Sequence, residues 1–406
     1  MKIINKLFAT VAIASLSVAG FANAESVTVK YLTFSAAPNY IKELDATIAA
    51  FEAKNPDIEV EYETAGWEAY FTKLQTLVAS GKAPDTYELN HENFVTYASK
   101  GALLDIGGML GADKSIYNAT ALDVFTHDGK QLGLVESFSN VVLFYNQEMF
   151  DAAGVDYPAE SWTWKEELEA AQKLTKDGNW GAFAPIQFWE FYKTIAQNGG
   201  AILNDDKTEV VIDSAQNVET LTWMIDKINK YKVTPSSAQM AGQSSEDMFK
   251  AGKIGMLRTG IWMFGAFNDA PFKWDIALEP GNTNKAHHFF ANGVVVSDKT
   301  ENPEQAFKWI KFLTSSQEAV ELRIAAGWEL PAVSDPKYAK AYLDQPIPPS
   351  RDVVFKALDS AVVPPVIANW NQLTDAVGKE LEAAVLGTKT PEQALKDAKV
   401  AIQAIM

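Results

Sequence analysis

Eleven tryptophans are many for 406 residues, and their neighbours decide what each can do. Trp223 in "LTWMI" and Trp309 in "FKWIK" sit inside amphipathic helical patterns and read as core. Trp67 opens a helical stretch directly after a strand, the place where an α/β fold opens its ligand crevice. Trp189 precedes "NGG", Trp262 lies in the turn "RTGIW", Trp328 in "AAGWELPA" and Trp370 in "PVIANWNQL". A flat indole can lie beneath the apolar C–H face of a pyranose, while amides and carboxylates meet hydroxyls at the rim. Side chains of that second kind stand at or near expected strand ends: Ser35, Asn90, Glu92, Ser139 and Asn292.

Other chemistries fit less well. Gly81-Lys82 in "ASGKAPDTYELN" lacks the first glycine and the following Ser or Thr of a phosphate loop, where Thr76 and Ala83 stand. It follows a helical pattern, so Gly81 reads as the helix end and Pro84 as a stop. Glu92, Glu136 and Glu190 could supply a glycosidase pair, but among 52 acids some chance proximity is expected. No G-x-S-x-G elbow is present. With four His and no Cys, and with His287 and His288 pointing to opposite faces of a strand, no metal site is expected.

The elements that must position these residues alternate cleanly. "SVTVKYLTF" is a strand, "NYIKELDATIAAFEAKN" a helix and "DIEVEYET" a strand of period two. "WEAYFTKLQTLVAS", "DTYEL" and "ENFVTYASKG" continue as helix, strand and helix. That order implies a parallel sheet flanked by helices. "GKQLGLVESFSNVVLFYNQEMF" is two apolar strands around a polar centre, and Thr163 with Glu166 forms a capping box. "GKIGMLRTGIW" and "HHFFANGVVVS" return to strand, "NPEQAFKWIKFLTS" buries Phe307, Ile310 and Leu313, and "PEQALKDAKVAIQAI" closes the chain.

Lys2 and Lys6, an uncharged run from Leu7 to Ala24, and "ANA" before Glu25 mark residues 1–24 as a signal peptide. Its removal takes two lysines and no acid, moving the net charge from −17 to −19. Such a chain is repelled by nucleic acid and by anionic lipid. Without Cys there is neither a disulfide nor a lipidated N-terminal Cys, so a free periplasmic protein is expected.

"KLQTLVASGKAPDTYEL", "GLVESFSNVVLFYNQEMFDAAGV", "GKIGMLRTGIW" and "NPEQAFKWIKFLTSSQEAVE", in this order, resemble the extracellular solute-binding proteins of sugar ABC transporters, the family that includes maltose-binding protein. The resemblance runs over essentially the whole mature chain. It implies an α/β fold of two lobes, each a mixed or parallel sheet flanked by helices, joined by crossover hinge strands. Residues 25–138 with 289–335 would form the N-terminal lobe, and 139–288 with 336–406 the C-terminal lobe. The family places ring-stacking aromatics near Trp189, Trp262 and Trp370, and often a hydroxyl-binding side chain near Asn90 and Glu92. Ser139 aligns where maltose-type members carry an acid, which argues against maltose itself. The resemblance further implies a monomer without catalysis or cofactor that captures a carbohydrate and delivers it to a membrane permease. Glycerol-phosphate carriers share the family, but the net charge and the small number of arginines (Arg258, Arg323 and Arg351) disfavour a phosphate ester.

Overall fold

The computed structural model describes residues 26–327, 329–367 and 369–406. The expected signal peptide and Trp328 lie outside the described residues. The βαβαβ opening forms as expected. Val27–Thr33 is flanked by Ile58–Thr64 and Thr86–Asn90, parallel to both. Ile58–Thr64 is the edge strand and alternates buried with exposed residues, whereas Thr86–Asn90 is central and buried throughout. Phe290–Val296 lies antiparallel beside Thr86–Asn90, followed by Gly133–Ser139 and the short Leu330–Pro331, completing six strands.

A second sheet has four strands, in the order Trp274–Ala277, Val141–Asn146, Ile254–Gly260 and Trp180–Phe183, of which only the last two pair in parallel. The polar centre noted in the sequence is where the chain changes sheets. Gly133–Ser139 belongs to the large sheet, Val141–Asn146 to the small one, and Asn140 stands between them. Asn140 is pinned on both sides: its Nδ2 donates to Val354 O at 2.7 Å, and its carbonyl accepts from Ile261 N at 3.1 Å. A second passage runs through His287–His288 into Phe290–Val296. Phe138 and Phe289, one beside each passage, stack with centroids 6.2 Å apart.

Local signals behave as their chemistry demands. Gly81 takes φ 68° after the Trp67–Ala79 helix. Gly81 N donates to Val78 O and Lys82 N to Leu77 O, the paired bonds of a Schellman motif. The capping box at Thr163 and Glu166 is formed. Trp309, on Pro303–Ser315, is fully buried between Tyr31 and Phe51. Trp223 is half-buried, stacked 4.0 Å from Trp164. Pro336–Leu343, past the expected lobe boundary at 335, buries Tyr338 with Val320, Ile324 and Val333 on the large-sheet side.

Candidate functional site: a cleft between the two sheets

A cleft of about 670 Å³ is lined from both sheets. Seven of the expected residues line it: Ser35, Trp67, Asn90, Ser139, Trp189, Trp262 and Asn292. Their positions follow from strand ends. Ser35 follows Val27–Thr33, where its amide donates to Thr33 Oγ1 at 2.9 Å and its hydroxyl to the Glu88 carboxylate at 3.2 Å. Asn90 ends its strand opposite Asn292 in the ladder, and accepts from Asn93 Nδ2 at 2.9 Å. The ladder with Gly133–Ser139 slips between Asn292 and Gly293, a bulge that re-aims the side chain. A Cβ at Gly293 would stand 2.6 Å from the Phe125 ring, so only glycine fits beside this bulge.

Aromatic rings form a track from one bank to the other. Phe34 meets Trp67 at 5.1 Å, and Trp67 meets Trp189 across the cleft at 6.5 Å. Phe290 lies 5.5 Å from Trp189 and 6.0 Å from Trp262. The Trp262 ring folds back over Gly260, where a Cβ would lie 2.1 Å from it. Tyr40, from the large-sheet side, donates its hydroxyl to Trp262 O at 2.6 Å. Trp67 remains 41% exposed beside the cleft.

Two expected residues are corrected. Glu92 is fully buried and does not line the cleft; it accepts from Asn90 Nδ2 and so orients Asn90 from beneath. Trp370 is only 1% exposed and packs edge-on to Phe188 at 5.2 Å, with its ring 5.7 Å from Trp189. The resemblance implies a ring-stacking aromatic near Trp370, leaning into the cleft. Here the first turn of Trp370–Val385 faces the Phe188–Ala196 helix, so Trp370 backs Trp189 from the core.

Further residues line the cleft to which the sequence assigns no ligand role: Tyr40, Phe290 and Glu329, together with Arg258, His288 and Glu190, which the sequence offers only as phosphate, metal and catalytic candidates. One signal for them was present. His288, Phe290 and Asn292 alternate at period two, and all three line the cleft.

Each bank rests on a buried cluster of charges. Beneath the small-sheet bank, Arg258 bonds Glu167 and reaches Glu190 Oε1 at 3.3 Å. Lys193 bonds Glu279 and Glu190, the latter at 2.7 Å, while Lys227 lies 3.8 Å from Glu167. Burial would push Glu190 up, but Lys193 and Arg258 outweigh it and hold it at about 2. Burial wins at Glu279, which rises to about 7 despite Lys193. Burial and Lys193 push His288 down to about 3.

Beneath the large-sheet bank lie Glu43, Glu88, Glu136 and Glu329, with Arg323 as the cation among the described residues. Arg323 Nη2 meets Glu136 Oε1 at 2.6 Å. Burial nevertheless raises Glu136 to about 7. Glu88 rises well above the usual carboxylate range through burial and the nearby Glu136 charge. Burial also raises Glu329, which accepts from Ser137 and, at 3.2 Å, from Asn292.

A cleft between two sheets, floored by strand ends and crossed by aromatic rings, is the architecture of a solute-binding protein. The chain belongs to the bacterial extracellular solute-binding protein family, whose model matches residues 36–320. An ABC substrate-binding protein from Listeria monocytogenes, solved in complex with cycloalternan, is 47% identical with a TM-score of 0.91, over 94% of this chain and 99% of that one. A binding protein of Brucella abortus is 25% identical over 96% of each chain. The maltooligosaccharide ABC transporter solute-binding lipoprotein of Streptococcus pneumoniae is 23% identical over 94% of this chain and 90% of its own. No helix among the described residues is long and apolar enough to cross a membrane.

Proposed function

We propose that the protein captures an oligosaccharide in this cleft, closes its lobes around it, and presents it to the permease of an ABC importer. The observation that carries the reading is the aromatic track bordered by strand-end Ser and Asn side chains. Rings match the apolar face of a pyranose and amides match its hydroxyls. About 670 Å³ falls in the range of pockets, roughly 300–1,000 Å³, that bury most of the surface of a small-molecule ligand. Ligand contact with both banks would shift the population toward the closed form.

Turnover is not part of the reading. The three carboxylates weighed as catalytic are engaged: Glu92 by Asn90, Glu136 by Arg323, and Glu190 by Lys193 and Arg258. Arg258, which lines the cleft, is itself bound by carboxylates, which favours a neutral sugar over a phosphate ester. The change of sheet at Asn140 supports lobes that meet near 139 and 289, with Pro336–Leu343 riding on the large-sheet lobe. Export to the periplasm as a monomer, cleaved after Ala24 and without a lipid anchor, completes the proposal.

Calorimetric titration of the mature protein with cycloalternan, maltose and maltotriose tests it. At least one sugar should bind with a dissociation constant in the micromolar range or below, near −8 kcal/mol. Chromatography should return that sugar intact, and the exported protein should begin at Glu25. Absence of binding to all three, or steady release of hydrolysis products, would overturn the reading.

A further inference from the structure

The aromatic track offers flat faces that accept many sugars, so selectivity must come from polar groups that remain unpaired until the ligand arrives. Two neighbouring side chains on the small-sheet bank, Arg258 and His288, have that character, and Glu190 beside them takes its bonds on one oxygen. Arg258 is 3% exposed and lines the cleft, yet its Nε–H has no hydrogen-bond partner among the described residues. Its two other nitrogens are spent: Nη1 on Glu190 and Gln197, Nη2 on Glu167 and Pro280 O. His288 is 1% exposed and also lines the cleft. Its Nε2 lies 2.7 Å from the Trp189 carbonyl, and a carbonyl only accepts, so Nε2 carries the proton. The ring is neutral, because burial and Lys193 push it down to about 3. Nδ1 is therefore a bare acceptor, and it too is buried without a partner among the described residues. On Glu190, Lys193, Thr194 and Arg258 all bond the same oxygen, Oε1.

These groups are also held still. Phe290 stacks on the His288 ring at 5.0 Å and Tyr192 meets its edge at 5.2 Å. The Arg258 guanidinium is gripped by three carboxylates. A buried donor and a buried acceptor left unpaired are costly, and both can be satisfied by hydroxyls, which donate and accept.

We propose that Arg258, His288 and Glu190 form a hydroxyl-selecting subsite, in which Arg258 Nε–H donates to ligand hydroxyls and His288 Nδ1 and Glu190 Oε2 accept from them. This rests on the carbohydrate reading above. The subsite sets which hydroxyl pattern is held, while the rings supply contact area. A sugar lacking the matched hydroxyl leaves a buried polar group unpaired and is rejected.

The test begins with the unaltered protein, titrated with cycloalternan, maltose and maltotriose, and then with monodeoxy analogues of whichever binds tightest. At least one single-hydroxyl deletion should weaken binding about 10- to 100-fold, the scale of a hydrogen bond to a charged group. Arg258→Lys keeps a cation for the three carboxylates and removes Nε–H. His288→Phe keeps a ring against Phe290 and removes the acceptor. Each should lose about 10- to 100-fold for the parent sugar and almost nothing further for the matched deoxy analogue. Thermal melts show whether each variant is folded; if neither folds, the deletion series on the unaltered protein decides alone. The inference is overturned if every deletion stays within about 2-fold, or if folded variants lose equally for parent and analogue. Failure of the unaltered protein to bind any of the three sugars overturns the carbohydrate reading and this subsite with it.

Discussion

The two banks of the cleft stand on opposite electrostatic foundations. Under the small sheet, three carboxylates (Glu167, Glu190 and Glu279) meet three cations (Arg258, Lys193 and Lys227). Under the large sheet, Glu43, Glu88, Glu136 and Glu329 share Arg323. A balanced buried cluster holds its charges by mutual attraction and hydrogen bonds. An unbalanced one can stay buried only by binding protons, which is why burial raises all four of its carboxyls. The first arrangement fixes donors and acceptors in place. The second provides carboxyl groups that hold Ser35, Ser137 and Asn292 from behind without adding a full charge for each acid.

The largest expected effect tests the imbalance directly. Arg323→Met strips the large-sheet cluster of its cation and should cost about 3–5 kcal/mol of folding stability, as uncompensated buried charge does. Lys227→Met in the balanced cluster should cost only about 1 kcal/mol, because Glu167 keeps Arg258 and burial already lowers Lys227 to about 8. Denaturant unfolding of both variants measures the gap, and equal losses would abolish the contrast.

On the small-sheet bank, neighbouring rings sharpen the distinction between support and contact. Trp370→Ala opens a core cavity and should lose about 3–5 kcal/mol of stability. Trp189→Ala should instead lose about 1–3 kcal/mol of sugar binding, with a milder fall in melting temperature. If Trp370→Ala weakens binding more than Trp189→Ala while melting like the unaltered protein, the roles are reversed.

The smallest effect is the pH profile, where the two banks pull in opposite directions. Glu136 is raised from an ordinary 4.5 to about 7. Its contribution is present in full below about 4.5 and is lost as pH rises through 7. His287 and His288 are lowered from 6.5 to about 3, so theirs is present above 6.5 and is lost as pH falls toward 3. Glu279, raised to about 7, moves with Glu136 although it sits in the balanced cluster, so the acid limb belongs to the histidines and to Glu190, which is held at about 2. Melting temperature against pH should peak between about 4.5 and 6.5. Glu136→Gln should flatten the alkaline limb and His288→Phe the acid limb. A curve still rising as pH passes through 7 would contradict the assignment of Glu136.

Elements of the fold were legible wherever periodicity and punctuation act locally. The βαβαβ opening, the Gly81 helix end and the Thr163 cap depend on residues a few positions apart, and each formed as read. The strand-end residues Ser35 and Asn90 could be chosen because a strand's end is visible in the chain. Trp370 was misread because burial of a helix's first turn is set by a partner helix nearly two hundred residues away. Arg258 and His288 were weighed only for phosphate and metal, because which groups around a buried side chain are already spent is a property of packing.

What the amino-acid order determined by itself is the list of elements, their polar ends and the supply of rings, since these follow from local sterics, hydrophobic period and capping. Only the tertiary structure decided which charges would share one buried volume. Glu43, Glu88, Glu136, Glu329 and Arg323 are scattered over nearly three hundred residues. Their protonation depends on desolvation and on separations of a few ångströms, where the attraction between charges rises steeply as water is excluded.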